Sequence, residues 1–288
     1  MRLPDVEKRE AWVGRLFLWS EILLITGFLI FYLYVAIATP SPTMSHAVVP
    51  QPQPNSVEWV LRLKRGDFIL YRYLPGQAEF TAHPKAVIIF GSGDGGLSGW
   101  EDRVCKALQA DGYEMISLDY YGYSRTDYDL DILQADMNTI AQNCFSRYGD
   151  HPPPLILGGW SMGAEQAVPA AGGPHPPTGL VGLLLISPGS RGRYGVRDAD
   201  RWNVPPTGNG TFAMEDFAHR LNGLRVVQWD GNLDLLGSKT WLSSLTATHK
   251  AFGFPALHDY NGASDDFLTR LKQSVTWILS PPSTEADQ

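Results

Sequence analysis

The sequence predicts an α/β fold, a mostly parallel sheet with helices on both faces, preceded by a single N-terminal transmembrane helix. Three observations predict it. From Val57 onward, short apolar runs alternate with amphipathic stretches about five times, and parallel strands need crossover connections of that kind. The pentapeptide Gly159-Trp160-Ser161-Met162-Gly163 joins one such apolar run to one such amphipathic stretch. Residues 16–38 are apolar except for Ser20, Glu21 and Thr26.

With 288 residues, 44% of them hydrophobic and 11% aromatic, the chain can bury enough apolar surface to offset its conformational entropy, which excludes wholesale disorder. The formal charge is −7 and no run of Lys or Arg occurs, which argues against a nucleic-acid partner. The two cysteines, Cys105 and Cys144, exclude a disulfide scaffold and lack metal-ligand spacing. They fall on helices after consecutive strands, on opposite faces of a doubly wound sheet, so no disulfide is expected. No metal or other cofactor is called for.

Residues 1–15 read as a cytoplasmic tail and 16–38 as a signal anchor. As a helix, the latter would span about 34 Å, enough to cross a hydrocarbon core. Arg2, Lys8, Arg9 and Arg15 precede it, and no Lys or Arg follows until Arg62. This bias holds the N-terminus inside and exports the rest. A signal peptide cut after Ala36-Ile37-Ala38 also exports the body, whereas a buried core helix would show a polar face. The expected location is the inner membrane, single-pass, with the body on the periplasmic side. Residues 39–56 contain five prolines and no Asp, Glu, Lys or Arg, the composition of a stiff extended spacer. The folded body runs over 57–282, with 188–222 as a cap or insertion rich in Gly, Pro, Arg and Asn. Residues 283–288 read as a disordered tail.

Within the body, Val57–Lys64 and Phe68–Leu74 flank Arg65-Gly66-Asp67 and predict a β-hairpin. Strands follow at Lys85–Phe90, Glu114–Leu118, Pro154–Leu157, Leu180–Ile186, Leu224–Trp229 and Ala251–Tyr260. Helices are expected at Trp100–Asp111, Leu130–Tyr148, from Ser161, at Ser238–His249 and at Asp265–Leu279.

The pentapeptide fits G-x-S-x-G between a strand and a helix, the context in which this motif presents a nucleophile. The glycines permit a tight turn that lifts the Ser161 hydroxyl above the sheet edge, and the helix N-terminus favours developing negative charge. The bland alternative is a serine capping its helix. Gly91-Ser92-Gly93-Asp94-Gly95-Gly96 follows the strand KAVIIF. In such a hydrolase, that loop gives one backbone N–H of an oxyanion hole, here Gly93, and the residue after the nucleophile, Met162, gives the other. A flexible turn or an anion-binding loop would look similar, although the Lys-Ser/Thr ending of a P-loop is missing.

An acid is expected after the penultimate strand. Asp234 sits there, with Asp230 as runner-up, to orient and charge-stabilise an imidazole. Its structural reading is a cap for the helix Ser238–His249. The order Ser, acid, His places the base just after the last strand. His258 is the provisional base, or else a strand residue bonded within the sheet.

GSGDGG followed by Gly99-Trp100 and a helix, Asp119-Tyr120-Tyr121-Gly122-Tyr123 after the next strand, and GWSMGAE together resemble the VirJ/AcvB group of bacterial α/β-hydrolase-like proteins. The resemblance covers about residues 84–280 and is strongest in the first half. It implies an exported protein of α/β-hydrolase fold and, as for characterised members, hydrolysis of aminoacylated phosphatidylglycerol, notably the lysyl ester. Members carry a histidine in the loop after the last strand, where this chain has Ala263-Ser264-Asp265-Asp266.

An aminoacyl ester needs a site for its ammonium group. Asp94, Asp119, Tyr120, Tyr121 and Tyr123 are the expected carboxylate and cation–π partners; otherwise Asp119 is a turn residue and the tyrosines pack beneath the cap. The leading expectation is an exported, membrane-anchored serine hydrolase acting on a lipid or small-molecule ester. The alternatives are a catalytically silent body binding lipid or a periplasmic export partner, and a peptidase or esterase with a soluble substrate. Arg191, Arg193, Arg197 and Arg201 on the insertion read as a solvated loop or as a contact for anionic lipid.

Overall fold

The computed structural model describes residues 25–27, 56–75, 83–197 and 205–280. The chain divides into two units, residues 1–46 and 47–288. Of the first, Ile25, Thr26 and Gly27 are described and are helical. The rest of the expected span 16–38, the spacer up to residue 55 and the tail 283–288 lie outside the described residues. No helix among the described residues is long and apolar enough to cross a membrane.

The second unit opens with the hairpin β1 (Ser56–Leu63) and β2 (Gly66–Tyr73). Then come β3 (Val87–Gly91), α1 (Gly99–Ala110), β4 (Glu114–Leu118), the single turn α2 (Tyr120–Tyr123), α3 (Leu130–Phe145), β5 (Leu155–Trp160), α4 (Met162–Gly172) and β6 (Leu180–Ile186). The insertion forms a ribbon of β7 (Arg191–Arg193) and β8 (Thr211–Ala213), then the short helix α5 (Glu215–Ala218). The chain ends with β9 (Arg225–Gly231), β10 (Thr248–Phe254), α6 (Tyr260–Ala263) and α7 (Asp265–Leu279). Eight strands form one sheet in the order β1-β2-β4-β3-β5-β6-β9-β10. The hairpin strands pair antiparallel, β2 joins β4 antiparallel, and every other neighbour is parallel.

The strands alternate between two cores, because successive side chains leave a strand on opposite faces. Val87 and Ile89 pack with Met137 of α3 and Val168 of α4, whereas Ile88 and Phe90 pack with Val104 of α1 and Leu271 of α7. Helices therefore cover both faces. Cys144 lies in the first core and Cys105 in the second, both as free thiols.

Two element expectations need correction. In place of a helix over 238–249 there is one 3-10 turn, Thr240–Ser244, and then an edge strand. The segment is rich in Ser and Thr, whose hydroxyls compete for local partners: Ser238 bonds Thr240 side chain to side chain at 2.9 Å, and Ser243 Oγ donates to the Thr240 carbonyl at 2.8 Å. The last strand also stops at Phe254 rather than running to Tyr260, because Pro255 offers no N–H to a ladder. The insertion arginines are not a free basic patch. Arg191 donates to the Pro206 carbonyl and Arg193 to those of Asn209 and Thr207, while Arg197 pairs with Asp127. Arg201 lies outside the described residues.

Candidate active site

The site gathers at the C-terminal ends of the parallel strands. Ser161 sits between β5 and α4 at φ 52°, ψ −119°, a conformation that costs a non-glycine residue of the order of 1–3 kcal/mol. Packing enforces it. A Cβ on Gly163 would lie 2.2 Å from the Gly91 carbonyl oxygen, and one on Gly159 would lie 2.5 Å from the Gly163 carbonyl carbon. Only glycines at both positions let the elbow sit against β3. The Ser161 amide donates to the Ile186 carbonyl at 2.8 Å. Its side chain makes no capping bond to α4, so the helix-cap reading fails, and the residue is half-buried, not sealed in the core. Met162 opens α4, where the first amides have no carbonyl partner within the helix.

His258 lies four residues beyond the end of β10, in the loop that follows the last strand and not within the strand. Its Nδ1 is 2.8 Å from Asp234 Oδ2. The carboxylate fixes the tautomer by accepting the Nδ1 hydrogen, and Nε2 is left to accept a proton. The Asp234 side chain is 1% exposed and that of His258 is 21% exposed. Burial pushes the Asp234 carboxyl up, but hydrogen bonds from His258, the Ser187 hydroxyl and the Leu236 amide, with the charge of the imidazole, outweigh it and hold the group at about 2. Asp230, the runner-up, moves the other way: burial raises it, and its oxygens accept from Gln228 at 3.1 and 3.0 Å. Trp160, the residue before the serine, links the histidine to the elbow. Its indole N–H donates to the His258 carbonyl at 2.9 Å, and the two rings lie 5.1 Å apart.

The loop 91–96 also reaches the elbow, since a Cβ on Gly93 would meet the Trp160 ring at 3.2 Å and Ser161 Cβ at 3.6 Å. Its amide is not free as expected, however. Gly93 N–H donates to Glu101 Oε1 across 3.4 Å, and the other carboxylate oxygen takes the Ser98 amide at 2.9 Å. Burial raises the Glu101 carboxyl against these bonds. Reading the motif alone overlooked Glu101, although Ser98-Gly99-Trp100-Glu101 is a capping-box pattern visible in the sequence. Ser187 and Tyr260 were also missed. Ser187 is at φ 45° and Tyr260 at φ 50°, both buried, and their hydroxyls lie 2.9 Å apart behind Asp234. No motif marks either of them.

The five expected substrate contacts fare differently. Asp94 is half-buried in the turn closed by the Gly96 amide on the Gly93 carbonyl. Asp119 is wedged between that loop and α2: burial raises its carboxyl, opposed by bonds from the Gly122, Tyr121 and Leu97 amides. Tyr120 must be withdrawn as a substrate contact. Its ring is buried in the core, so close to β3 that a Cβ on Gly91 would lie 2.3 Å from it. Tyr123 is buried as well and already carries the Arg65 guanidinium 4.7 Å above its ring. Tyr121 stays half-exposed, with Arg125 5.8 Å from its ring centre.

Solved structures with the same fold include the esterase domain of a Rhodothermus marinus protein, 14% identical over 78% of this chain and 98% of that one, with a TM-score of 0.57. An α/β serine hydrolase without lid from Xanthomonas campestris is 17% identical over 80% and 98%, at 0.53. Dienelactone hydrolase from Anabaena variabilis is 14% identical over 78% and 97%, at 0.54. No curated protein matches the chain in sequence. The family model described as serine aminopeptidase, S33, matches residues 82–226, which include the loop 91–96 and the elbow and end before Asp234 and His258. Because that match spans just over half of its length, the chain belongs to the serine aminopeptidase S33 family of α/β hydrolases.

Proposed function

We propose that the protein is a serine hydrolase that cleaves an ester through an acyl-enzyme. The observation that carries this reading is the 2.8 Å bond between buried Asp234 and His258, on loops tied to the strained Ser161 elbow through Trp160. Ser161 Oγ attacks the ester carbonyl as His258 Nε2 takes its proton. The Met162 amide donates to the oxyanion. The Gly93 amide joins it after leaving Glu101, a small cost because a 3.4 Å contact is a weak bond. The intermediate collapses, the alcohol departs with the proton from His258, and water deacylates Ser161 by the same path. The alternative of a catalytically silent binder draws on the absence of a histidine from residues 261–267; the placement of His258 just after β10, bonded to Asp234, favours the hydrolase instead.

In the finer form of this proposal, residues 16–38 tether the enzyme to the inner membrane with its body on the periplasmic side. The ester is that of an aminoacyl phospholipid such as lysyl-phosphatidylglycerol, with half-buried Asp94 on the loop after β3 as the carboxylate for its ammonium group. The test is hydrolysis of short p-nitrophenyl esters by the full chain. Turnover that disappears in Ser161→Ala and His258→Ala supports the reading; turnover unchanged in both variants rejects it. Release of lysine from lysyl-phosphatidylglycerol vesicles then decides the substrate.

A further inference from the structure

Every leucine among the described residues is buried or half-buried except three: Leu233, Leu235 and Leu257. All three stand beside the proposed acid and base. Leu233 and Leu235 flank Asp234, and Leu257 precedes His258. They are 64%, 96% and 56% exposed. This exposure is built into the loops. The Asn232 amide donates to Phe254, the Leu233 amide to the Ala256 carbonyl at 3.0 Å, and the Leu236 amide to Asp234 Oδ1 at 2.8 Å. These bonds lock the acid loop against the histidine loop, so the side chains project from a fixed edge. Exposed Pro255 adjoins them on the histidine loop.

We infer that Leu233, Leu235 and Leu257 form an apolar rim that inserts into a lipid surface and holds the mouth of the active site against it. The inference rests on the ester-hydrolase reading for its purpose and on exposure for its geometry. A leucine 96% exposed walls no pocket, so the rim does not serve a single dissolved acyl chain. It gains contacts only when a continuous apolar phase comes up to it. Because these leucines adjoin the acid and the base in the chain, a surface that covers the rim is brought up to His258 and Ser161. Burying Leu235 would strengthen the attachment by about tenfold or more, and the less exposed Leu233 and Leu257 by about fivefold each.

The test uses the full chain and phosphatidylcholine vesicles, whose lack of net charge isolates the apolar contribution. Buried Cys105 and Cys144 leave an introduced thiol as the reactive one, so Leu235→Cys is labelled with a polarity-sensitive fluorophore in a Ser161→Ala background. Thr276→Cys on α7 is the control. A blue shift at 235 with none at 276 supports the rim. A label at 235 that keeps its aqueous spectrum in the presence of the vesicles, whether or not the protein sediments with them, overturns it. This readout needs no catalysis, so it stands apart from the fate of the hydrolase reading. A second readout is the ratio of turnover of a long-chain ester carried in the vesicles to turnover of dissolved p-nitrophenyl acetate. The ratio should fall at least tenfold in Leu235→Glu and in Leu257→Glu, and an unchanged ratio in both overturns the rim.

Discussion

Replacing Asp234 by Asn tests the electrostatics of the site in a quantity that can be worked out in advance. The Asp234 carboxyl is held at about 2 against an ordinary value of 3.8. The folded state therefore binds this proton less readily than the unfolded chain, and the ionised group contributes stability above the ordinary value that is lost as the pH falls towards 2. The difference amounts to about 2 kcal/mol at pH 7 and falls to roughly half of that by pH 3. Asn keeps the shape and lacks the charge. Urea unfolding of wild type and Asp234→Asn at pH 7, 5, 4 and 3 should show a gap that is constant down to about pH 5 and then closes. Glu101 and Glu114 are also shifted upward, and since neither shift depends on Asp234 they cancel in the difference. A gap that stays the same at pH 3, or widens there, would refute the argument that the imidazole, the Ser187 hydroxyl and the Leu236 amide hold this carboxylate charged. Ester turnover in the variant should drop by about three to four orders of magnitude, because the amide no longer stabilises the imidazolium.

Three more outcomes follow from the geometry. Ser161→Gly abolishes turnover yet raises stability by about 1 kcal/mol in a thermal melt, since glycine adopts φ 52° without strain. Gly163→Ala forces a Cβ to 2.2 Å from a backbone oxygen of β3, and chemical denaturation should show a loss of about 3 kcal/mol or failure to accumulate as folded protein. Glu101→Gln removes a carboxyl whose value burial raises above 4.5. The folded state holds that proton more readily than the unfolded chain, so wild type should lose stability relative to the Gln variant as the pH rises above that value, measured by urea melts from pH 4 to 7.

Much of the fold was legible because its strands are short apolar runs with both faces buried, a pattern that tertiary packing reinforces. The stretches Glu114–Leu118, Leu180–Ile186 and Asp265–Leu279 have the same bounds in the sequence reading and in the structure. The stretch 238–249 misled because its apolar spacing suits a helix, whereas its hydroxyl side chains and the vacant sheet edge beside β9 favour a turn and a strand. The serine was legible because the elbow needs glycines at fixed positions. His258 was legible as the provisional base from the order of the motif, but the last strand read as running to Tyr260 left it open to a strand reading, whereas Pro255 ends that strand before it. Tyr120 was assigned to substrate on residue type alone, and type does not say which way a ring points: here it fills space left by Gly91. Glu101, Ser187 and Tyr260 act on the site through bonds between segments distant in the chain, which no local pattern records.

The central claim is that Ser161 is a nucleophile activated by His258. Its most direct test is intact and peptide mass spectrometry of the full chain after exposure to a fluorophosphonate. The account predicts one adduct, on the peptide containing Ser161, absent in Ser161→Ala and strongly slowed in His258→Ala. Folded wild-type protein that forms no adduct, or one that labels as fast without His258, would contradict it.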